Sequence, residues 1–124
     1  MNNCGIDLAS KSSAICIMGD GLKIIWEKEC STDAAGFAQA LQGRGKLCCI
    51  IEASPLCEWV ADILEELGHE VIVIDPRKAK AIITSKKKTD KLDARNLARM
   101  GQTGWYTEVH RKSKKARLLR ARKF

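Results

Sequence analysis

At 124 residues the chain has the size of one domain, and 45% hydrophobic residues supply enough apolar surface for a packed core, which excludes wholesale disorder. No apolar run approaches the length of a membrane span, and the N-terminus reaches Asp7 without a signal-peptide shape, so a cytoplasmic location is expected. The net charge of +7 is polarised: residues 1–76 hold 5 Lys/Arg against 12 Asp/Glu, whereas residues 77–124 hold 17 against 3. Such a distribution points the second part of the chain at a polyanion, and nucleic acid is the first choice because nothing reads as a membrane anchor.

Residues 3–8 (NCGIDL) and 12–18 (SSAICIM) have strand character, and Gly19-Asp20-Gly21 is a turn signal before a return strand over 22–29. These three predict an antiparallel meander. A helix is expected over 33–42, capped by Thr32 or Asp33 and ended by Gly43 and Gly45. Residues 47–52 (LCCIIE) form a continuous apolar run closed by an acid, as in a strand buried on both faces.

The next helix has Ser54 as its expected cap and Pro55 at its first position. Its apolar stripe is Leu56, Trp59, Val60, Ile63, Leu64 and Leu67, and Gly68 stops it. Trp26 and Trp59 read as core, and His69 after the helix-ending glycine reads as exposed. Residues 70–75 (EVIVID) form another buried strand. From Pro76 the chain turns basic, with a short helical segment, a polar loop over 84–88 and a helix over 90–100 capped by Thr89. Residues 101–112 read as irregular, and 113–124 as the start of a basic helix. Trp105 and Tyr106 suit either base stacking or anchoring of the chain end onto the core, the second being commoner.

A helix between sequential buried strands implies parallel crossover pairing. The expected fold is therefore α/β: a ribonuclease-H-like mixed sheet, an antiparallel three-stranded meander plus parallel strands with flanking helices. A domain over residues 1–105 and a basic linker over 106–124 are expected. The six cysteines form no CxxC pair and lie mostly in apolar runs, so they read as small core residues.

Four acids are the candidates for chemistry. Asp7 and Glu52 end predicted strands that meet at one crevice. Asp90 and Asp93 are three apart on a predicted helix and share its face. Phosphodiester cleavage develops negative charge on the attacking and leaving oxygens, which two Mg²⁺ ions stabilise, and carboxylates are the hard oxygen ligands that hold such ions. Each acid also has a plain structural role open to it. A strand end suits Asp7, a buried partner suits Glu52, a helix N-terminus suits Asp90, and neighbouring cations suit Asp93.

The strings GIDLASKSS, IIEASPLCEWVADILEELGHEVIVIDPRKAKAI and KKTDKLDARNLAR resemble, in order and wording, the N-terminal domain of the DEDD transposases of the IS110 group, over residues 3–122. KTDKLDA followed by LAR is the most specific of them. The resemblance implies a RuvC-like domain in which Asp7, Glu52, Asp90 and Asp93 match the family's quartet and hold Mg²⁺ or Mn²⁺. It implies DNA as substrate, a structured guide RNA as partner and a homo-oligomer for the full-length protein. Family members continue into a coiled coil and a second domain carrying a serine nucleophile. RLLRARKF matches the start of that continuation, so this chain alone is expected to bind metal and nucleic acid without recombining DNA.

Lys86, Lys87, Lys88, Lys91, Arg95 and Arg99 flank the quartet and read as phosphate contacts, with Arg77, Lys78 and Lys80 as a second basic patch. Residues 111–123 suit either RNA binding or the polar side of a coiled coil. Other classes remain open. A RuvC-type junction resolvase shares the fold and acids, but KTDKLDA argues against it. A phosphotransfer enzyme of the actin and sugar-kinase fold would need a second lobe. A non-catalytic RNA- or DNA-binding module would use the acids only as internal ion-pair partners.

Overall fold

The computed structural model describes residues 1–75 and 93–111. Its strands are β1 (Asn2–Asp7), β2 (Ser12–Met18), β3 (Ile24–Ser31), β4 (Leu47–Glu52) and β5 (Glu70–Ile74). Its helices are α1 (Ala34–Leu41), α2 (Cys57–Glu66) and α3 (Ala94–Thr103). The five strands make one sheet in the order β3-β2-β1-β4-β5. The meander β1-β2-β3 is antiparallel, while β1-β4 and β4-β5 are parallel, which is the expected ribonuclease-H-like mixed sheet. Among the described residues no helix is long and apolar enough to cross a membrane.

Alternation along the strands sorts side chains between two faces. Ile6, Ile15, Ile17, Leu47, Cys49, Ile51 and Val73 meet Phe37 and Leu41 of α1 and Val60 and Leu64 of α2. On the other face, Ile50 and Ile74 meet Leu97 and Met100 of α3, while Cys16 and Met18 meet Ala94 and Ala98. The central strands are covered on both sides, which is why LCCIIE is apolar without alternation.

Several expectations need correction. The turn after β2 is a short 3-10 segment in which Gly21 and Leu22 both take positive φ (+70° and +62°). These two residues are spent on the reversal, and the β2-β3 register slips between Ile17 and Met18, so the return strand starts at Ile24 and runs to Ser31. Asp33, not Thr32, caps α1, accepting from the Gly36 amide at 2.6 Å. The Thr32 hydroxyl is instead buried against Ser13, 2.7 Å away. Ser54 does not cap α2: its carbonyl accepts from the Cys57 amide, and the first helical residue is Cys57. The buried stripe is accordingly Cys57, Val60, Ala61 and Leu64, and Trp59 stands half exposed rather than in the core.

His69 is buried, not exposed. Its Nδ1 accepts the amide of Leu47, the first residue of β4, at 3.0 Å, and burial lowers its pKa. The helix expected over 90–100 begins at Ala94, because Asp93 is extended and acts as its cap; Thr89 lies outside the described residues. The helix ends at Gly104, which takes the left-handed conformation at φ +78°.

Residues beyond it are not irregular throughout. Ile74 bridges Glu108, the Asp75 amide donates to Thr107 O, and the Val109 amide donates to Val73 O, so this segment runs antiparallel along the free edge of β5. Tyr106 packs on the Ile50, Ile74, Leu97 and Met100 cluster, whereas Trp105 is exposed. Arg111 then binds three acids of α2, Glu58, Asp62 and Glu65, at 3.0 to 3.2 Å. Contacts with β5 and α2 thus continue through Arg111. Cys4, Cys16, Cys49 and Cys57 are buried free thiols, and Cys30 and Cys48 are half-buried ones. Burial pushes Cys16 and Cys48 up to about 11.

Candidate functional site

Asp7 is the last residue of β1 and Glu52 the last of β4. The strands are parallel neighbours with Ile6 opposite Ile51, so one step further along the register sets the two acids side by side. Ile6 and Ile51 belong to the core under α1 and α2, so alternation turns Asp7 and Glu52 toward the face covered by α3. Both line a cavity of about 110 Å³ together with Ile6, Leu8, Ala53, Ser54 and, from α3, Leu97. Both residues are half-buried, and the Oδ1 atom of Asp7 is withdrawn from solvent.

The wall supplied by α3 depends on a glycine. Asn3, Gly5 and Asp7 share one face of β1. A Cβ on Gly5 would sit 2.1 Å from Ala94 O and 2.4 Å from the Ala98 amide nitrogen, so the helix backbone lies directly on the strand. Nearer the other end of the helix, Gln102 accepts from Asn3 Nδ2 at 2.6 Å. The helix therefore runs antiparallel to β1 and directs its N-terminus toward the carboxylates. The partial positive charge of that terminus favours anionic neighbours.

Asp93 stands at this terminus. Its side chain accepts from the Asn96 amide at 2.8 Å and its carbonyl accepts from Leu97, so it sits one turn from the residue that walls the cavity. It is exposed and not part of the cavity lining. Asp90, the fourth acid, lies outside the described residues. Among the described residues, no three Asp, Glu, His or Cys side chains gather as a metal-binding group. The structure thus brings Asp7 and Glu52 together and sets Asp93 one helical turn from the cavity's α3 wall.

Of the cations expected to meet phosphates, Arg77, Lys78, Lys80, Lys86, Lys87, Lys88 and Lys91 lie outside the described residues. Arg95 forms a two-pronged pair with Glu27 of β3, at 2.5 and 2.7 Å, and holds that carboxyl below its ordinary range through the hydrogen bond. It thereby ties α3 to the edge strand. Arg99 is exposed and donates to Asn96 Oδ1 at 3.3 Å. The sequence reading missed Gly5 and Glu27, and took Leu97 only as an inward-facing helix residue. The available signal was a glycine two residues before an acid on a strand, hence on the same face.

The family model of the IS110-group DEDD transposases, described as transposase, matches residues 4–122. No curated protein matches the chain.

Proposed function

Since this chain belongs to the DEDD transposases of the IS110 group, whose substrate is DNA, we propose that it is the divalent-metal-dependent catalytic domain of such an enzyme, with Asp7 and Glu52 as the fixed pair of metal ligands. The observation that carries this reading is the convergence of the two acids in one cavity under the N-terminus of α3. The donors fit the ion: both are hard carboxylate oxygens on rigid strand ends, and the cavity has room for a partly hydrated cation. Bound Mg²⁺ or Mn²⁺ would stabilise negative charge on the oxygens of the scissile phosphodiester and lower the pKa of a water molecule.

The chain's own residues supply the rest. Asp7 and Glu52 present carboxylate oxygens at a fixed point where two strand ends meet. Leu97 walls that point from the α3 side, and Gly5 lets it come close. Asp93 adds a carboxylate at the helix terminus, where one oxygen already fixes the cap. In this reading Asp90 completes the quartet, Arg99 and the lysines before α3 position the phosphate backbone, and the full-length enzyme works as a homo-oligomer with a structured guide RNA.

Mn²⁺ titration followed by electron paramagnetic resonance tests the proposal. Asp7→Asn or Glu52→Gln is expected to weaken binding by tenfold or more. Asp93→Asn keeps the cap, because Asn caps as well as Asp, and separates a ligand's loss from a helix's loss. Unchanged Mn²⁺ affinity in the Asp7→Asn/Glu52→Gln double variant would overturn the metal site and leave a nucleic-acid-binding module.

A further inference from the structure

On the sheet face opposite the carboxylates, an open groove of about 410 Å³ lies between β3 and α1, against about 110 Å³ for the carboxylate cavity. Trp26 is in its floor. The guanidinium of Arg44 lies over the indole, 4.2 Å from the ring centroid, and Arg44 Nε donates to Ala40 O at 3.2 Å. The cation is therefore held over the ring by two contacts, and among the described residues no hydrogen bond engages the Nη groups of its fork. Lys28 shares the groove. Among the described residues neither cation is within ion-pair distance of a carboxylate.

Strand alternation explains the local sign of charge. Glu27 is engaged by Arg95 over the α3 face, and Glu29 is paired with Ala14, which packs with the residues beneath α3. Although Glu29 borders the groove, its side chain belongs to that far face, while Trp26 and Lys28 belong to the near one. Two cations thus face the groove, while the Asp33 carboxylate stands at its Ser31–Gly36 end, bound to the Gly36 amide and the Ser31 hydroxyl. Gln39 and Gln42 add amides, each with a donor and an acceptor.

We propose that this groove binds single-stranded nucleic acid, with phosphates on Arg44 and Lys28 and a base stacked on the guanidinium–indole pair. A planar cation held on an aromatic ring is a stacking platform, and only unpaired strands offer their base faces to one. The amides would meet base edges or a 2′-hydroxyl. The site needs no metal and stands apart from the reading of Asp7 and Glu52.

Photo-crosslinking tests it without relying on total affinity, to which the basic part of the chain also contributes. Twelve-nucleotide strands carrying 5-iodouracil, as RNA and as DNA, are irradiated with the full chain in EDTA, and the adducts are mapped by mass spectrometry. Trp26, Trp59 and Trp105 compete as acceptors, so the other two act as internal references. The expected result is a main adduct at Trp26 that falls fivefold or more in Arg44→Gln and in Lys28→Gln, two variants that need not share a folding defect. RNA yielding more than DNA would assign the amides to the 2′-hydroxyl, and equal yields would assign the groove to either sugar. Adducts only at Trp59 or Trp105, or equal Trp26 adducts from a duplex, would overturn the proposal. Because EDTA removes metal, failure here leaves the carboxylate site untouched.

Discussion

Replacing Gly5 with alanine is expected to lift α3 off the sheet. The new Cβ would lie 2.1 Å from Ala94 O and 2.4 Å from the Ala98 nitrogen, where ordinary contact begins at 3.4 Å. Both atoms are backbone, so no side chain can swing aside, and the helix must rise by about 1 Å. A gap of roughly that width forfeits about a quarter to a half of each dispersion contact across it. Leu97 and Met100 are almost fully buried beneath the helix, and each contributes about 1.5–3 kcal/mol when buried. The loss is then about 1–3 kcal/mol, in line with overpacked cores generally. The Asn3–Gln102 bond and the Arg95–Glu27 pair stretch with it. Stiffening of the unfolded chain by alanine returns only about 0.4–1 kcal/mol. With the stretched bonds added, a net destabilisation of about 1–2 kcal/mol is expected in urea unfolding followed by circular dichroism. Mn²⁺ affinity should fall as well, because the wall at Leu97 and the cap at Asp93 move together. A change below about 0.5 kcal/mol would refute the close seating of α3 on β1 and, with it, the account of why a glycine precedes Asp7 by two residues.

Two further outcomes follow from buried polar contacts. His69 accepts the Leu47 amide through Nδ1 and must stay neutral to do so. Its folded pKa is lowered, so the unfolded chain binds more protons below its own pKa of about 6.5. Stability should be level above that pH and fall as pH drops through it toward the folded value; His69→Gln should flatten this part of a thermal-melting profile, and an unchanged profile would remove His69 as the cause. Arg111→Met should destabilise the chain by about 1–2 kcal/mol, since hydrogen bonds to charged groups contribute about 1.5–3 kcal/mol and Glu58 and Glu65 are partly exposed. High salt should narrow that difference in parallel urea titrations by screening the three acids left on one helix face.

The sheet was legible in the sequence because its signals are local. LCCIIE and EVIVI carry their burial in composition, and the helices between them dictate parallel pairing. Glu52 stood out for the same reason, as an acid that ends an apolar run and so needs a purpose. What escaped depends on partners far along the chain. Nothing beside His69 shows that the amide opening β4, some twenty residues earlier, needs an acceptor. Trp59 belongs to the apolar set of its helix, but the start at Cys57 centres the buried face on Val60, Ala61 and Leu64. Asp93 shows the limit most clearly, because aspartate is favoured both as a helix cap and as a metal ligand, and one letter serves both. Arg95 read as a free cation because its partner, Glu27, is 68 positions away.

The span between Gly5 and Ala94 also bears on how the protein folds. The meander closes over short loops, whereas α3 must find β1 after nearly the whole described chain has been made, and joining such distant segments costs loop entropy before any contact compensates it. Asp7 and Leu97 are distant along the chain, so the wall over the carboxylates forms only once that long loop has closed. Two carboxylates therefore spend the early part of folding in open water, where their repulsion is weak, and are walled in only when the rest of the domain can hold them.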